Sequence, residues 1–167
     1  INPIHLTEMA GIDPIEKQGQ VRWYKRPERG SVYLVALDPS LGTGGDPSAI
    51  QVLELPSMKQ VAEWRDNKTP IERQVMILKG ITEYIYETIG TNNDIYYSVE
   101  NNTVGEAALV AINEMGEESI PGMFLSEPIK KGHVRRFRRG FNTTSIAKIA
   151  ACAKLKQLLE QKRLRIY

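Results

Sequence analysis

Six apolar residues in succession, Val32-Tyr33-Leu34-Val35-Ala36-Leu37, run directly into a carboxylate at Asp38. A run this short and this continuous reads as a strand covered on both faces, the situation of a sheet flanked by helices. It stops at Pro39-Ser40-Leu41-Gly42-Thr43-Gly44-Gly45-Asp46-Pro47, whose proline and glycine content makes it a loop. Any fold for this chain must therefore bring an acid to the edge of a buried sheet.

Residues 49–55 and 60–65 read as two further strands, joined through Pro56-Ser57. Connections this short imply antiparallel hairpins. Thr69-Pro70-Ile71-Glu72 is a helix start in which Thr caps, Pro takes the first helical position and Glu closes a capping box. Ile71, Val75, Leu78, Ile81, Ile85 and Ile89 then recur at helical spacing until Gly90. Ile95-Tyr96-Tyr97-Ser98-Val99-Glu100 is a second strand that ends on an acid. Thr103-Val104-Gly105-Glu106 is another capping box, opening a helix to about Met115. A short strand at Met123-Phe124-Leu125, a helix over residues 145–161 and a strand beginning at Leu164 complete the order.

The helix after the three antiparallel strands carries the chain back, so the strand ending at Glu100 lies beside the first and parallel to it. This is the ordering of a ribonuclease H-like fold, an α/β architecture. Its mixed sheet has three antiparallel strands followed by parallel strands flanked by helices. Residues 1–30, punctuated by Pro3, Pro14 and Pro27, read as a lead-in segment, a linker or a peripheral helix, and residues 31–167 as the domain.

At 167 residues the chain is long enough for one domain with a real core. No apolar run approaches the roughly 20 residues needed to cross a bilayer. The start, Ile1-Asn2-Pro3, has no signal-peptide pattern and no initiator Met, which suggests part of a longer chain. The single cysteine, Cys152, cannot form an internal disulfide; flanked by alanines, it is expected to be a buried core residue in a reducing, cytoplasmic setting. Charge is divided sharply. Residues 1–129 hold 10 Lys/Arg against 19 Asp/Glu, and residues 130–167 hold 12 against a single acid, Glu160. Such a split suggests a face that meets a polyanion.

Carboxylates attached directly to apolar strands are costly unless something compensates them. Divalent cations would do so at Asp38 and Glu100. Their hard oxygens favour Mg²⁺ or Mn²⁺, and two ions roughly 3.5–4 Å apart suit phosphodiester hydrolysis. Asp38 alone, before Pro-Ser, would equally be a turn opener; the pair at one sheet edge carries the argument. Gly42, Gly44 and Gly45 either bring backbone amides near phosphate or form a plain turn. Asp46 is read as bracing that loop, with a place in the metal shell as the other option. Asn101 and Asn102 either orient the site or cap the following helix, capping being preferred. No GxxxxGK[ST] motif, no zinc-ligand spacing and no Ser-His pairing accompany these residues.

The densest basic cluster is His133-Val134-Arg135-Arg136-Phe137-Arg138-Arg139. Arg135, Arg136, Arg138 and Arg139 are candidates to neutralise DNA phosphates, together with Lys148 near the start of the last helix.

The motifs resemble the large terminase subunits of tailed phages, and most closely the T4-like type. Asp38-Pro39-Ser40-Leu41-Gly42-Thr43-Gly44-Gly45-Asp46 resembles their first acidic motif and Val99-Glu100-Asn101-Asn102-Thr103-Val104-Gly105 their second. Gly140-Phe141-Asn142-Thr143-Thr144, Lys148 and the helix running to Leu164-Arg165-Ile166-Tyr167 resemble the segment before the third. The resemblance implies a ribonuclease H-like endonuclease that uses Mg²⁺ to cut concatemeric double-stranded DNA during genome packaging. Asp38 and Glu100 match the first two metal-binding acids. The third lies in an Asp-rich motif beyond Tyr167, which leaves residues 31–167 C-terminally incomplete and the fragment weak or inactive. Implied partners are an ATPase motor domain earlier in the same chain, the portal protein and the small terminase subunit. The implied place of action is the cytoplasm of the infected bacterial host, docked on the procapsid.

Two enzyme alternatives share parts of this pattern. Actin-like and sugar-kinase folds need a second, similar loop in a duplicated domain, and only one is present. A Holliday-junction resolvase would need its complete acid set within about this length. From another class, the chain would be a DNA-gripping or portal-docking module with an inactive site. Neutralising Arg135, Arg136, Arg138 and Arg139 is expected to weaken DNA binding and flatten its salt dependence. Unchanged binding in a salt titration returns that cluster to a solvated loop.

Overall fold

Antiparallel pairing of three consecutive strands builds the centre of the sheet. The computed structural model describes residues 11–127 and 139–167. Its strands are β1 (Glu16–Gln18), β2 (Val21–Trp23), β3 (Val32–Asp38), β4 (Ser48–Leu55), β5 (Lys59–Asp66), β6 (Ile95–Val99) and β7 (Met123–Phe124). Its helices are α1 (Ile71–Ile89), α2 (Thr103–Met115) and α3 (Ser145–Glu160). They form one seven-stranded sheet in the order β1-β2-β5-β4-β3-β6-β7. β3, β4 and β5 are antiparallel, whereas β6 runs parallel to β3, and β7 parallel to β6. Five strands thus follow the ribonuclease H-like order expected from the sequence.

The core lies on one face of the sheet. Tyr33, Val35 and Leu37 of β3 meet the α1 stripe of Val75, Leu78, Ile81 and Ile85, and Ala108 and Ile112 of α2 close the layer. Each of those fully buried branched side chains on α1 contributes on the order of 1.5–3 kcal/mol relative to exposure.

The opposite face is thinly covered, contrary to the expectation for a continuous apolar run. β3 alternates, with Ala36 and Asp38 exposed and Leu34 half-buried. The cause is α3. Its N-terminal end is held beside β6, and Leu164–Arg165 beyond its C-terminal end meets the start of β5, where Gln60 N–H donates to the Arg165 carbonyl at 2.8 Å. Between these points Ile146 and Ile149 remain 82% and 71% exposed, and only Leu159 of the helix is buried. Cys152, expected in the core, is exposed for the same reason. Among the described residues no helix is long and apolar enough to cross a membrane.

Two local expectations change. The described part of the segment read as a lead-in contributes the hairpin β1–β2, which pairs with β5 at Arg22↔Glu63 and Trp23↔Ala62, and Trp23 is fully buried. Scattered prolines hid strands of only three residues. At α1, Thr69 is not the cap: its hydroxyl donates to Asp66 Oδ2 at 2.6 Å, and the helix begins after Pro70 without a side-chain cap.

Gly105 at the start of α2 sits against β6, where a Cβ would overlap the Glu100 carbonyl oxygen, while Gly80 on α1 has open space around it. Gly105→Ala is therefore expected to cost about 1–3 kcal/mol through overpacking. Gly80→Ala should instead gain up to about 1 kcal/mol of helix propensity. Thermal unfolding of both variants distinguishes this close approach from ordinary glycine behaviour.

Candidate metal centre

Register places the two acids. β3 and β6 pair from Tyr33↔Ile95 to Leu37↔Val99, and the ladder extends one step further, where Glu100 N–H donates to the Leu37 carbonyl at 2.9 Å. Leu37 and Val99 point into the core, so the next residue on each strand points to the opposite face. Asp38 and Glu100 thus emerge side by side from strands about 4.8 Å apart.

Their carboxyl groups lie close enough to share a proton. Asp38 is exposed at the sheet edge, yet partial withdrawal of its carboxyl from water, the proton shared with Glu100 and the Glu100 charge push its pKa up to about 7, against an opposing pull from Lys148. For Glu100 burial also favours the neutral form, but hydrogen bonds from Asp38, Thr143 and Asn102 and the Lys148 charge outweigh it. Together they hold Glu100 below its ordinary value. Below about pH 7 the pair therefore shares a proton between its two carboxyl groups.

A second segment is fastened to this edge. Phe141 N–H donates to the Val99 carbonyl at 2.9 Å, Asn101 N–H to the Phe141 carbonyl at 2.7 Å, and Asn101 Nδ2 to the Arg139 carbonyl at 2.7 Å. This latch delivers Thr143 to Glu100. Thr144 Oγ1 then accepts from Ala147 N at 3.1 Å as the α3 cap, which places Lys148 within electrostatic reach of both acids.

The sequence candidates divide accordingly. Asp38, Glu100, Asn102 and Lys148 come together. Asn102 occupies the backbone cap position of α2 but makes no side-chain cap bond, its side chain serving Glu100 instead. Asn101 is buried as the latch. Asp46 is exposed, and among the described residues no third His, Cys, Asp or Glu joins the two acids. Gly42, Gly44 and Gly45 form a fastened loop rather than an open anion cradle. Gly44 N–H donates to the Asn67 carbonyl at 2.7 Å, Asn67 Nδ2 donates to the Gly44 and Gly45 carbonyls, and a Cβ on Gly42 would overlap the Thr69 carbonyl. Arg139 is paired with Glu117 and lies 4.5 Å over the Phe124 ring centroid. Arg135, Arg136 and Arg138 lie outside the described residues.

Two residues are not singled out by the sequence. Thr143 stands there only within the Gly140–Thr144 motif, and only the latch brings it to Glu100. Gln74 had a visible signal, a polar residue on the apolar stripe of α1, four positions before Leu78.

The donor set suits a hard divalent cation: two carboxylates with oxygen ligands only, held so close that without a counter-charge they must share a proton.

By sequence alone, no family model and no curated protein matches the chain. Solved structures do. The large terminase nuclease from thermophilic phage G20c with bound magnesium is similar over 94% of this chain and 69% of its own, at 19% identity and a TM-score of 0.65. Its zinc-bound form matches over 94% and 75%, at 19% identity and a TM-score of 0.64. The large terminase nuclease domain of Thermus phage P74-26 matches over 94% and 67%, at 18% identity and a TM-score of 0.61. The chain therefore has the fold of these ribonuclease H-like domains.

Folded Asp38 keeps its proton up to about pH 7, whereas a free Asp carboxyl releases it near 3.8, so the metal-free fold loses stability as pH rises between those values. Asp38→Asn removes that loss. The variant is expected to melt above the wild type at pH 8 in chelator and close to it at pH 4.

Proposed function

We propose that this chain is the nuclease part of a tailed-phage large terminase subunit, a divalent-cation-dependent endonuclease that cuts concatemeric double-stranded DNA during genome packaging. The observation that carries the reading is the in-register pair Asp38 and Glu100 at the carboxyl ends of adjacent parallel strands. The solved counterparts of the fold, described as terminase nucleases with bound magnesium or zinc, support it.

Asp38 and Glu100 would hold the cation, giving up their shared proton as it binds. When bound, it would supply positive charge to the phosphodiester and lower the pKa of an attacking water. Thr143 and Asn102 stand beside the Glu100 carboxylate and favour its charged form. Lys148, at the start of α3, adds a positive charge beside the acids where a DNA phosphate would approach. Mg²⁺ or Mn²⁺ is the expected ion, because every ligand is oxygen. The third acid is assigned to chain beyond Tyr167, and an ATPase domain, the portal protein and the small subunit to the full assembly on the procapsid in the host cytoplasm.

The test is plasmid cleavage by the full-length protein with Mn²⁺. Asp38→Asn and Glu100→Gln are each expected to abolish cutting while leaving DNA binding in place. Undiminished cleavage in either variant would sink the proposal. DNA binding by a wild type that never cuts, with either ion, would favour a gripping module instead.

A further inference from the structure

Gln74 is a fully buried amide on the second turn of α1, and its side chain faces backbone rather than side chains. Its Oε1 accepts from Ser40 N–H at 3.3 Å, and its Nε2 donates to the Ser40 carbonyl at 2.8 Å and to the Thr69 carbonyl at 2.7 Å. Ser40 lies two residues beyond Asp38, past the end of β3, and is itself buried. Buried backbone groups need partners, and Gln74 treats Ser40 as a neighbouring strand would, offering one donor and one acceptor to one residue. Its main-chain N–H meanwhile donates to the Pro70 carbonyl at 3.0 Å within α1, next to core residue Val75. The chain on the far side of Asp38 is thus referenced to the helical core.

We infer that Gln74 is a positioning residue of the metal centre: by clamping Ser40 it sets where the Asp38 carboxylate stands relative to Glu100. The inference rests on the nuclease reading of that pair. On the β3 side, Asp38 is held by the ladder to Ala49 and by its neighbour Leu37. On the loop side, Gln74 is the buried side chain that holds the exit from the strand. The Gly44–Asn67 and Gly42–Thr69 contacts fasten the loop further along, to the same connection between β5 and α1. Groups hydrogen-bonded to metal ligands set ligand geometry, and their loss typically weakens metal affinity by about 10–100-fold; Gln74 acts one step further back, through the backbone two residues beyond Asp38.

The experiment uses the full-length protein, with Mn²⁺ affinity measured by calorimetry and plasmid cleavage resolved into kcat and KM. Gln74→Met keeps the length of the side chain and removes all three of its hydrogen bonds; Gln74→Glu keeps an acceptor for Ser40 N–H and loses at least one of the two donated bonds. Both variants, shown folded at the assay temperature by circular dichroism, are expected to bind Mn²⁺ about 10–100-fold more weakly. Their kcat should fall while KM for DNA stays put, a split that general destabilisation would not produce. Affinity and kcat within twofold of wild type in both variants overturn the inference. Should Gln74→Met fail to fold, Gln74→Glu decides, together with hydrogen exchange across residues 39–46, where retained protection also overturns it. Asp38→Asn in the same assays separates the two ideas. If it binds Mn²⁺ and cuts as wild type does, the nuclease reading has failed; if it is inactive while both Gln74 variants behave as wild type, only the positioning role has.

Discussion

Parallel pairing of β3 with β6 in one register is the constraint on which the rest of this structure depends. Both strands have their core-facing residues in step, Leu37 beside Val99, so both must place their next residue on the opposite face. A slip of one position on either strand would move a carboxylate into the apolar layer beneath α1 and α2 and would expose Leu37 or Val99. The same burial that stabilises the sheet therefore holds two acids together at its edge.

That arrangement works against stability when no cation is present. Two carboxyl groups in hydrogen-bonding contact cannot both ionise freely, and Asp38 answers by keeping a proton to about pH 7. The surroundings do not fully relieve the repulsion: Thr143 and Asn102 favour the charged form of Glu100, and Lys148 contributes charge from a distance. The core on the other face of the sheet is large enough to tolerate this local cost, and Trp23, Trp64, Tyr33 and Tyr97 are all buried there. Strain of this kind at an acid pair is what an incoming divalent cation would release.

Two non-adjacent pieces of chain are tied to the site by backbone rather than by side-chain salt bridges. The loop after Asp38 is tied to the β5–α1 connection through Gln74, Asn67 and the close approach at Gly42. The segment after Arg139 is tied to the end of β6 through Asn101 and Phe141. Hydrogen bonds to main chain depend little on salt, and neither tie uses Lys148, whose charge stands beside the acids.

Much of this was legible in the residues. The hairpin strands, the α1 stripe, the parallel strand ending at Glu100 and the pairing of two acids at one edge all follow from local pattern. Apolar periodicity and short connections leave few ways to pack them. The contacts between residues distant in the chain were not legible. Nothing near Thr143 announces Glu100, Asn102 reads as a cap until its side chain has a better acceptor partner, and the pairing of Arg139 with Glu117 and the Phe124 ring joins residues far apart in the chain. The hairpin in residues 16–23 was too short to show a period, and α3 carried enough alanine, leucine and isoleucine to look like a core helix while remaining largely exposed. The sequence by itself determined which residues could be strands, which acids ended them and on which side they had to emerge, because those properties repeat with the backbone. Only the tertiary structure decided what surrounds the acids, because hydrogen bonds and ion pairs across long stretches of chain exist once the sheet has closed its register and not before.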